Sequence, residues 1–309
     1  MTQPLRIGTR GSPLALAQAH ETRDRLAAAH PHLAAPGAVE IVVLKTTGDR
    51  ILDRTLAEAG GKGLFTKELE EALLDGRADL AVHSMKDVPT WLPDGLEIAA
   101  LLPREDPRDA FFARGGQGLD TLPAGSVVGT AGLRRQAQVL ERRPDLRVVP
   151  LRGNVQTRLA KLDAGEVDAT LLALAGLRRL GLTDRITAVL EPAEMLPAVA
   201  QGAIGIEIRS DDDATRALLA PLHCHDTAAR VAAERALLAA LDGSCRTPIA
   251  ALATLDGGRI ALAAKVLSPD GRQVFRAARA GDAAQAAALG ADAGAEIKAA
   301  LPPGFFFQT

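Results

Sequence analysis

Cys245 stands in Leu241-Asp242-Gly243-Ser244-Cys245-Arg246-Thr247-Pro248-Ile249. Gly243 ends an Ala-rich helical stretch and Pro248 restricts the chain beyond it, so the thiol is expected on a short, fixed loop. A thiol so placed serves as nucleophile, metal ligand or small apolar filler, depending on its surroundings. No Cys or His stands near it at metal-ligand spacing. The only other cysteine is Cys224, in His223-Cys224-His225. That triplet shares no ligand pattern with His20, His30 or His32, so a metal site there would rest on local residues alone.

A second kind of chemistry recurs four times. A strand ends, a small polar residue follows, and a helix or turn begins beside a cation. The segments are Ile7-Gly8-Thr9-Arg10-Gly11-Ser12, Val82-His83-Ser84-Met85-Lys86-Asp87, Val128-Gly129-Thr130-Ala131-Gly132-Leu133-Arg134-Arg135 and Leu151-Arg152-Gly153-Asn154-Val155-Gln156-Thr157-Arg158. Helix N-termini offer free backbone N–H groups and partial positive charge, so each segment is a candidate anion site. Taken singly, Thr, Ser and Asn there are helix caps and the arginines are solvated. Four in series favour an anionic ligand, laid along the strand ends of an open sheet.

Charge agrees. The chain carries 29 Arg against 7 Lys at a formal net charge of −2, yet Thr130 to Leu180 holds ten basic and five acidic residues. Guanidinium is a rigid two-pronged donor suited to carboxylate and phosphate. Nucleic acid is disfavoured, since RNA-binding and helix-turn-helix signatures are absent and aromatics are 3% of residues. A small molecule with several carboxylates or phosphates fits better. Asp87 is then the odd residue, a carboxylate in a row of cationic sites. It is a helix-start Asp, a structural partner of Lys86, or an acid kept for a positive charge that develops on the substrate. His83 reads as core, or as support behind the site.

These residues need elements to hold them. Short apolar runs at Leu5–Ile7, Val39–Leu44, Leu80–Val82, Ile98–Leu101, Ala110–Ala113, Val127–Val128, Arg147–Leu151, Ala169–Leu174 and Ile204–Ile208 are expected as strands. Helical patterns fall at Ser12–Ala29, Thr66–Asp75, Leu133–Arg142, Val155–Ala164 and Ala175–Leu180. The alternation predicts parallel sheets covered by helices. Proline- and charge-rich stretches at Leu102–Asp109 and Glu191–Pro197 look like crossings between domains. They give a first lobe over 1–104 and 197–220, an inserted second lobe over 105–196, and a cleft between lobes as the usual ligand place. The remainder, 221–309, changes character. Asp226–Leu241 and Asp282–Ala300 are helical, and strands are expected at Ala250–Leu255, Arg259–Leu267 and Gln273–Ala278, with a turn at Ser268-Pro269-Asp270-Gly271. This makes a third, α+β domain. Gly48–Gly63 has little periodicity and reads as a mobile surface loop, a candidate lid. No internal repeat stands out. Two cysteines make no disulfide framework, no apolar signal segment opens the chain, and no run is long enough to span a membrane, so a cytoplasmic protein is expected.

Together these segments resemble the porphobilinogen deaminase (hydroxymethylbilane synthase) family. The motifs are TRGSPLALAQ (Thr9–Gln18), GKGLFTKE (Gly61–Glu68), AVHSMKDVP (Ala81–Pro89), PREDPRDA (Pro103–Ala110), GTAGLRRQ (Gly129–Gln136), LRGNVQTRLAKL (Leu151–Leu162), QGAIGIE (Gln201–Glu207) and LDGSCRTPI (Leu241–Ile249). The resemblance runs from Arg6 to about Leu267. It implies two periplasmic-binding-protein-like α/β lobes flanking a cleft, with a C-terminal α+β domain carrying an antiparallel sheet. It implies a transferase that joins four porphobilinogen molecules head to tail, releasing ammonia each time, on a dipyrromethane cofactor held by a thioether. Cys245 matches the attachment thiol and Asp87 the acid that contacts pyrrole N–H groups and supports cationic intermediates. Ser84, Lys86, Asp87, Thr130, Arg134, Arg135 and Arg158 match cofactor-binding positions. Arg10, Ser12, Arg152, Arg158 and Arg179, with Lys62 and Phe65 at the end of the loop, match substrate-binding positions. Thr157 matches a supporting donor. No metal, membrane or nucleic acid is implied, and a monomer is favoured.

The residues agree with this resemblance. Each porphobilinogen carries two carboxylates, so a lengthening chain of rings accounts for the arginines better than a monoanion does. A covalent anchor keeps that chain in place between additions. Ala200 departs from a common Gly before Gln201-Gly202, and Ser244 fills a position often Gly. Two other classes were weighed. Solute-binding modules or effector domains share two lobes, but no signal segment or DNA-binding domain accompanies them here. A Cys-dependent hydrolase would need a base paired to Cys245, and no positioned His is evident.

Overall fold

The computed structural model describes residues 4–50, 63–243 and 247–305. In chain order the first elements are β1 (Leu5–Arg10), α1 (Pro13–Ala29), β2 (Val39–Leu44), α2 (Thr47–Arg50), α3 (Lys67–Leu74), β3 (Leu80–Ser84) and β4 (Leu96–Leu101). There follow β5 (Asp109–Ala113), β6 (Val127–Gly129), α4 (Leu133–Arg142), β7 (Arg147–Val149), α5 (Val155–Asp163), β8 (Ala169–Ala173), α6 (Leu174–Arg179) and β9 (Ala188–Leu190). The chain continues through β10 (Ile204–Arg209), α7 (Asp213–Leu219), α8 (His225–Ala240), β11 (Ile249–Asp256), β12 (Arg259–Leu267), β13 (Val274–Asp282) and α9 (Ala286–Ala300). Among the described residues one compact unit takes the chain up to Glu105 and again over Gly202–Ala228. The other takes Asp106–Gln201 and the chain from Ala229 onward.

The first unit is built on a sheet of order β2-β1-β3-β10-β4. Successive strand residues point to opposite faces, and both faces are covered. Leu80 and Val82 of β3 join Ile7, Ile204, Ile206 and Ile208 against Ala19 and Leu26 of α1. Ala81, between them, joins Leu69 and Leu73 of α3. The second unit repeats the plan in a sheet of order β7-β6-β8-β5-β9. Phe111 and Leu171 pack with Val139 of α4, while Ala110, Phe112 and Leu172 pack with Leu159 and Leu162 of α5 and Leu177 of α6.

The expectation of parallel sheets is corrected. β1 runs parallel to β2 and β3, and β6 parallel to β7 and β8, but β10 is antiparallel to β3 and β4 and β5 is antiparallel to β8 and β9. Each of these two strands enters its sheet from the direction opposite to a helix-crossover strand, which reverses its pairing. The edge strand β9 and the helix α7 were not expected. Nor was the length of β13, which runs on to Asp282 and delays α9.

The third sheet, β11-β12-β13, is antiparallel throughout, as its turn signal implied. Gly271 sits in that turn at φ 72°, and the turn is closed by Ser268 N donating to Gln273 O at 2.9 Å. α9 lies close against α8 because it presents Gly290 and Gly294. A Cβ on Gly290 would lie 2.0 Å from the Ala233 carbonyl oxygen, and one on Gly294 would lie 2.9 Å from that of Leu237. Of the expected Gly48–Gly63 loop, the beginning forms the single turn α2 and residues 51–62 lie outside the described residues.

Candidate active site

In the first unit β3 delivers Ser84, Lys86 and Asp87. The helical element there is one 3₁₀ turn, Met85–Asp87, too short to provide the anion-binding terminus expected of this segment. Asp87 closes that turn instead of starting a helix. The turn is fixed by Met85, which is buried and donates its N–H to Ala203 O at 3.0 Å. Its Sδ occupies the bare face of Gly205, where a Cβ would lie 2.1 Å away. Ser84 Oγ accepts from Gln18 Nε2 at 2.9 Å. Behind the turn, His83 Nε2 lies 2.8 Å from Glu207 Oε2, and both side chains are buried, which confirms His83 as core. Nearby on α3, burial pushes the Glu70 carboxyl pKa up.

At the end of β1 the Arg10 guanidinium lies over the Phe65 ring, 4.2 Å from its centroid, in cation–π geometry. The same ring packs against Gly48, where a Cβ would lie 2.3 Å from it. Ser12 caps α1, its hydroxyl accepting from Ala15 N at 3.3 Å. Lys62 lies outside the described residues.

The second unit holds most of the arginines. Thr130 follows β6, is buried, and accepts from Gly132 N at 3.2 Å, shaping the entry to α4. Arg134 and Arg135, in the first turn of α4, are both about nine-tenths buried. They are not solvated. Arg134 Nη2 donates to Asp109 Oδ2 at 2.7 Å and Arg135 Nη2 to Asp109 Oδ1 at 2.8 Å. Arg134 Nη1 also donates to Leu196 O at 2.8 Å. Burial works to raise the Asp109 pKa, but the two guanidiniums outweigh it and hold the carboxyl well below the usual range. After β7, Asn154 caps α5, accepting from Thr157 N at 2.8 Å and Thr157 Oγ1 at 2.9 Å. The Thr157 hydroxyl therefore serves the cap. Arg158 Nε donates to Gly153 O at 2.9 Å. Arg179 ends α6, half-buried. Two guanidinium nitrogens, Arg135 Nε and Arg152 Nη1, are buried without a hydrogen-bond partner.

Of the expected residues, Arg10, Ser12, Phe65, Ser84, Lys86 and Asp87 thus gather in the first unit, and Thr130, Arg134, Arg135, Arg152, Arg158 and Arg179 in the second. Cys245 lies outside the described residues, between Gly243 at the end of α8 and Thr247 before β11. Sequence reasoning missed Gln18, which orients Ser84, and Asp109, which carries two arginines. A carboxylate opening the apolar run Asp109-Ala110-Phe111-Phe112-Ala113 was the available signal, since a buried charge needs a partner.

Chemically, the second unit is a carboxylate receptor with donors to spare, and the first presents an acid beside Lys86. His223 and His225 meet edge-on at 4.9 Å between ring centroids. Among the described residues no three His, Cys, Asp or Glu side chains gather in a way that could hold a metal ion, and no helix is long and apolar enough to cross a membrane.

Comparison with known proteins gives two family matches. Residues 5–217 match the sequence model described as "Porphobilinogen deaminase, dipyromethane cofactor binding domain", and residues 228–299 match "Porphobilinogen deaminase, C-terminal domain". The chloroplastic porphobilinogen deaminase of Oryza sativa subsp. japonica is 60% identical over 305 residues, covering 98% of this chain and 85% of the relative. The porphobilinogen deaminase of Paracoccus denitrificans is 58% identical over 303 residues, covering 98% and 96%. Among solved structures, a TRAP periplasmic solute binding protein from Desulfovibrio salexigens gives a TM-score of 0.41 at 11% identity, covering 72% of this chain and 73% of that one.

Proposed function

The chain belongs to the porphobilinogen deaminase family, and from that premise we propose that it is a hydroxymethylbilane synthase. It condenses four porphobilinogen molecules head to tail, with loss of ammonia, on a covalently attached dipyrromethane, and releases the linear tetrapyrrole by hydrolysis. The observation that carries the reading is the pair of buried guanidinium donors with no partner in the protein, Arg135 Nε and Arg152 Nη1. Buried donors of a charged group are costly to leave unpaired, and the natural complement of guanidinium is a carboxylate. A pyrrole chain bearing acetate and propionate groups supplies carboxylates in the number this arginine-rich unit calls for.

The residues present fit the dipyrromethane. Cys245 would hold it by a thioether, and Ser84, Lys86, Thr130, Arg134, Arg135 and Arg158 would hold its carboxylates and rings. When bound, the group supplies the nucleophilic pyrrole carbon to which each substrate is joined, and a tether between additions. Arg10, Ser12, Arg152, Arg158, Arg179, Lys62 and Phe65 bind and orient the incoming substrate. Asp87 accepts hydrogen bonds from pyrrole N–H groups and stabilises the positive charge that grows on the substrate as ammonia leaves. Its carboxylate then takes the proton released from ring carbon. The 3₁₀ turn anchored by Met85 fixes that carboxylate in advance, which is where such electrostatic stabilisation gets its strength.

We read the protein further as a cytoplasmic monomer acting on a small molecule, on neither nucleic acid nor membrane, with 221–309 as the domain that bears Cys245. Sparse cysteine and locally concentrated arginine support this. The reading is tested by the mass of the intact protein. Expressed with a supply of porphobilinogen, it should exceed its sequence mass by one two-pyrrole unit, which survives reductant and denaturant because a thioether does not exchange with thiols. Cys245→Ser should abolish the increment and Cys224→Ser should retain it. A wild-type mass equal to the bare sequence would sink the proposal.

A further inference from the structure

Asp109 opens β5 and is fully buried. Both of its carboxylate oxygens are engaged. Oδ2 accepts from Arg134, and Oδ1 accepts from Arg135 and, at 2.9 Å, from Gln201 Nε2. Two guanidiniums on one carboxylate leave the group with a single net positive charge in a buried place, where an uncompensated charge is expensive. Arg134 has a further protein acceptor in Leu196 O, whereas Arg135 keeps a buried Nε with none. The cluster is therefore one anion short of neutral, and its unspent donor lies on Arg135.

We propose that Asp109 is a positioning residue of the transferase: it fixes Arg135 through Oδ1 so that its Nε is left for a ligand carboxylate, and it cancels one of two arginine charges so that the pair receives one carboxylate. This rests on the function proposed above. Asp109 touches no ligand and acts through Arg135. Gln201 steadies it from the other side, since its Nε2 also donates to Pro107 O at 2.7 Å. A guanidinium held at one end by a rigid, buried acceptor loses little further freedom when it binds, which is the gain from orienting a receptor in advance.

Charge and position make opposite predictions here. Asp109→Asn raises the net charge of the cluster. If charge alone mattered, the variant would take up the anionic precursor faster. If position matters, uptake slows. The experiment uses full-length protein made in a host without porphobilinogen, then given porphobilinogen, with the two-pyrrole mass increment followed over time and thermal melting recorded alongside. Folded Asp109→Asn should attach the unit about tenfold or more slowly, because small misplacements of an orienting group cost one to two orders of magnitude. Asp109→Glu keeps the charge and shifts the carboxylate. It should melt within about 4 °C of wild type, equivalent to roughly 1 kcal/mol, and still attach the unit about tenfold more slowly. Should Asp109→Asn yield no folded protein, Asp109→Glu decides. A folded variant of either kind that loads at the wild-type rate, or faster, overturns the proposal. Wild-type protein that never gains the increment overturns the proposed function instead, so the two failures are distinguishable.

Discussion

The Glu234 carboxylate, buried on α8, accepts the backbone N–H of Ala200 at 2.6 Å and that of Ala253 at 2.8 Å. Ala200 has φ 57°, in the left-handed region, where a Cβ costs about 1–2 kcal/mol. It stands where the family commonly has Gly. The strained residue is thus pinned by a charged acceptor, and the same acceptor ties the segment before Gln201 to β11.

Ala200→Gly should therefore stabilise the protein, by up to about 1 kcal/mol, the released strain being partly offset by the greater freedom of glycine in the unfolded chain. Glu234→Leu should destabilise it by roughly 2–4 kcal/mol, since two buried N–H groups lose their acceptor. Urea denaturation of both variants checks this. An Ala200→Gly variant less stable than wild type would mean that the strain argument is wrong.

The Asp109 cluster gives stability a definite dependence on acid. Its carboxyl pKa falls on folding, held down against burial by Arg134 and Arg135. The unfolded chain then binds the proton more readily, so this contribution is complete above the unfolded value of about 4 and is lost as pH falls below it. The stability advantage of wild type over Asp109→Asn should shrink by about 1 kcal/mol per pH unit below about pH 4. Paired urea titrations between pH 6 and pH 3 measure it. A difference that stays constant across that range would contradict the assignment.

Much of this fold was legible because strands and helices differ in period. Ala110-Phe111-Phe112 and Leu80-Ala81-Val82 are continuous apolar runs, the mark of strands covered on both faces, as they are. β9 was missed because Ala188–Leu190 pairs over three residues at a sheet edge. α7 was missed because Asp211, Asp212 and Asp213 resemble a turn, although Asp212 is the cap that accepts from Thr215 N at 2.9 Å. Strand direction was not legible, because apolar pattern is the same read either way. In the site, residue types announced an anion receptor, but not which cations face inward. Arg134 and Arg135 looked alike in a row of cations. Only the fold brings Asp109, about 25 residues earlier, beneath both.

Asp87 offers the sharpest functional test. It closes a 3₁₀ turn whose position is fixed by buried Met85 and by the Met85 N–H bond to Ala203, so the carboxylate is set by packing and not by the ligand. Removing it should leave that turn and the arginines of the second unit in place. Carboxylate recognition then survives, while stabilisation of the positive charge that develops during loss of ammonia is lost. For Asp87→Ala, kcat should fall about a hundredfold to a thousandfold, the usual effect of deleting one preorganised electrostatic group. KM should change far less, because an interaction made mainly in the transition state is removed. Asp87→Glu should recover part of kcat, since it restores the charge at a displaced position, and far-UV circular dichroism should match wild type for both. Single-turnover assays with porphobilinogen separate the chemical step from binding. A kcat for Asp87→Ala near the wild-type value, or a loss confined to KM, would remove Asp87 from the reaction and leave it a residue of the turn.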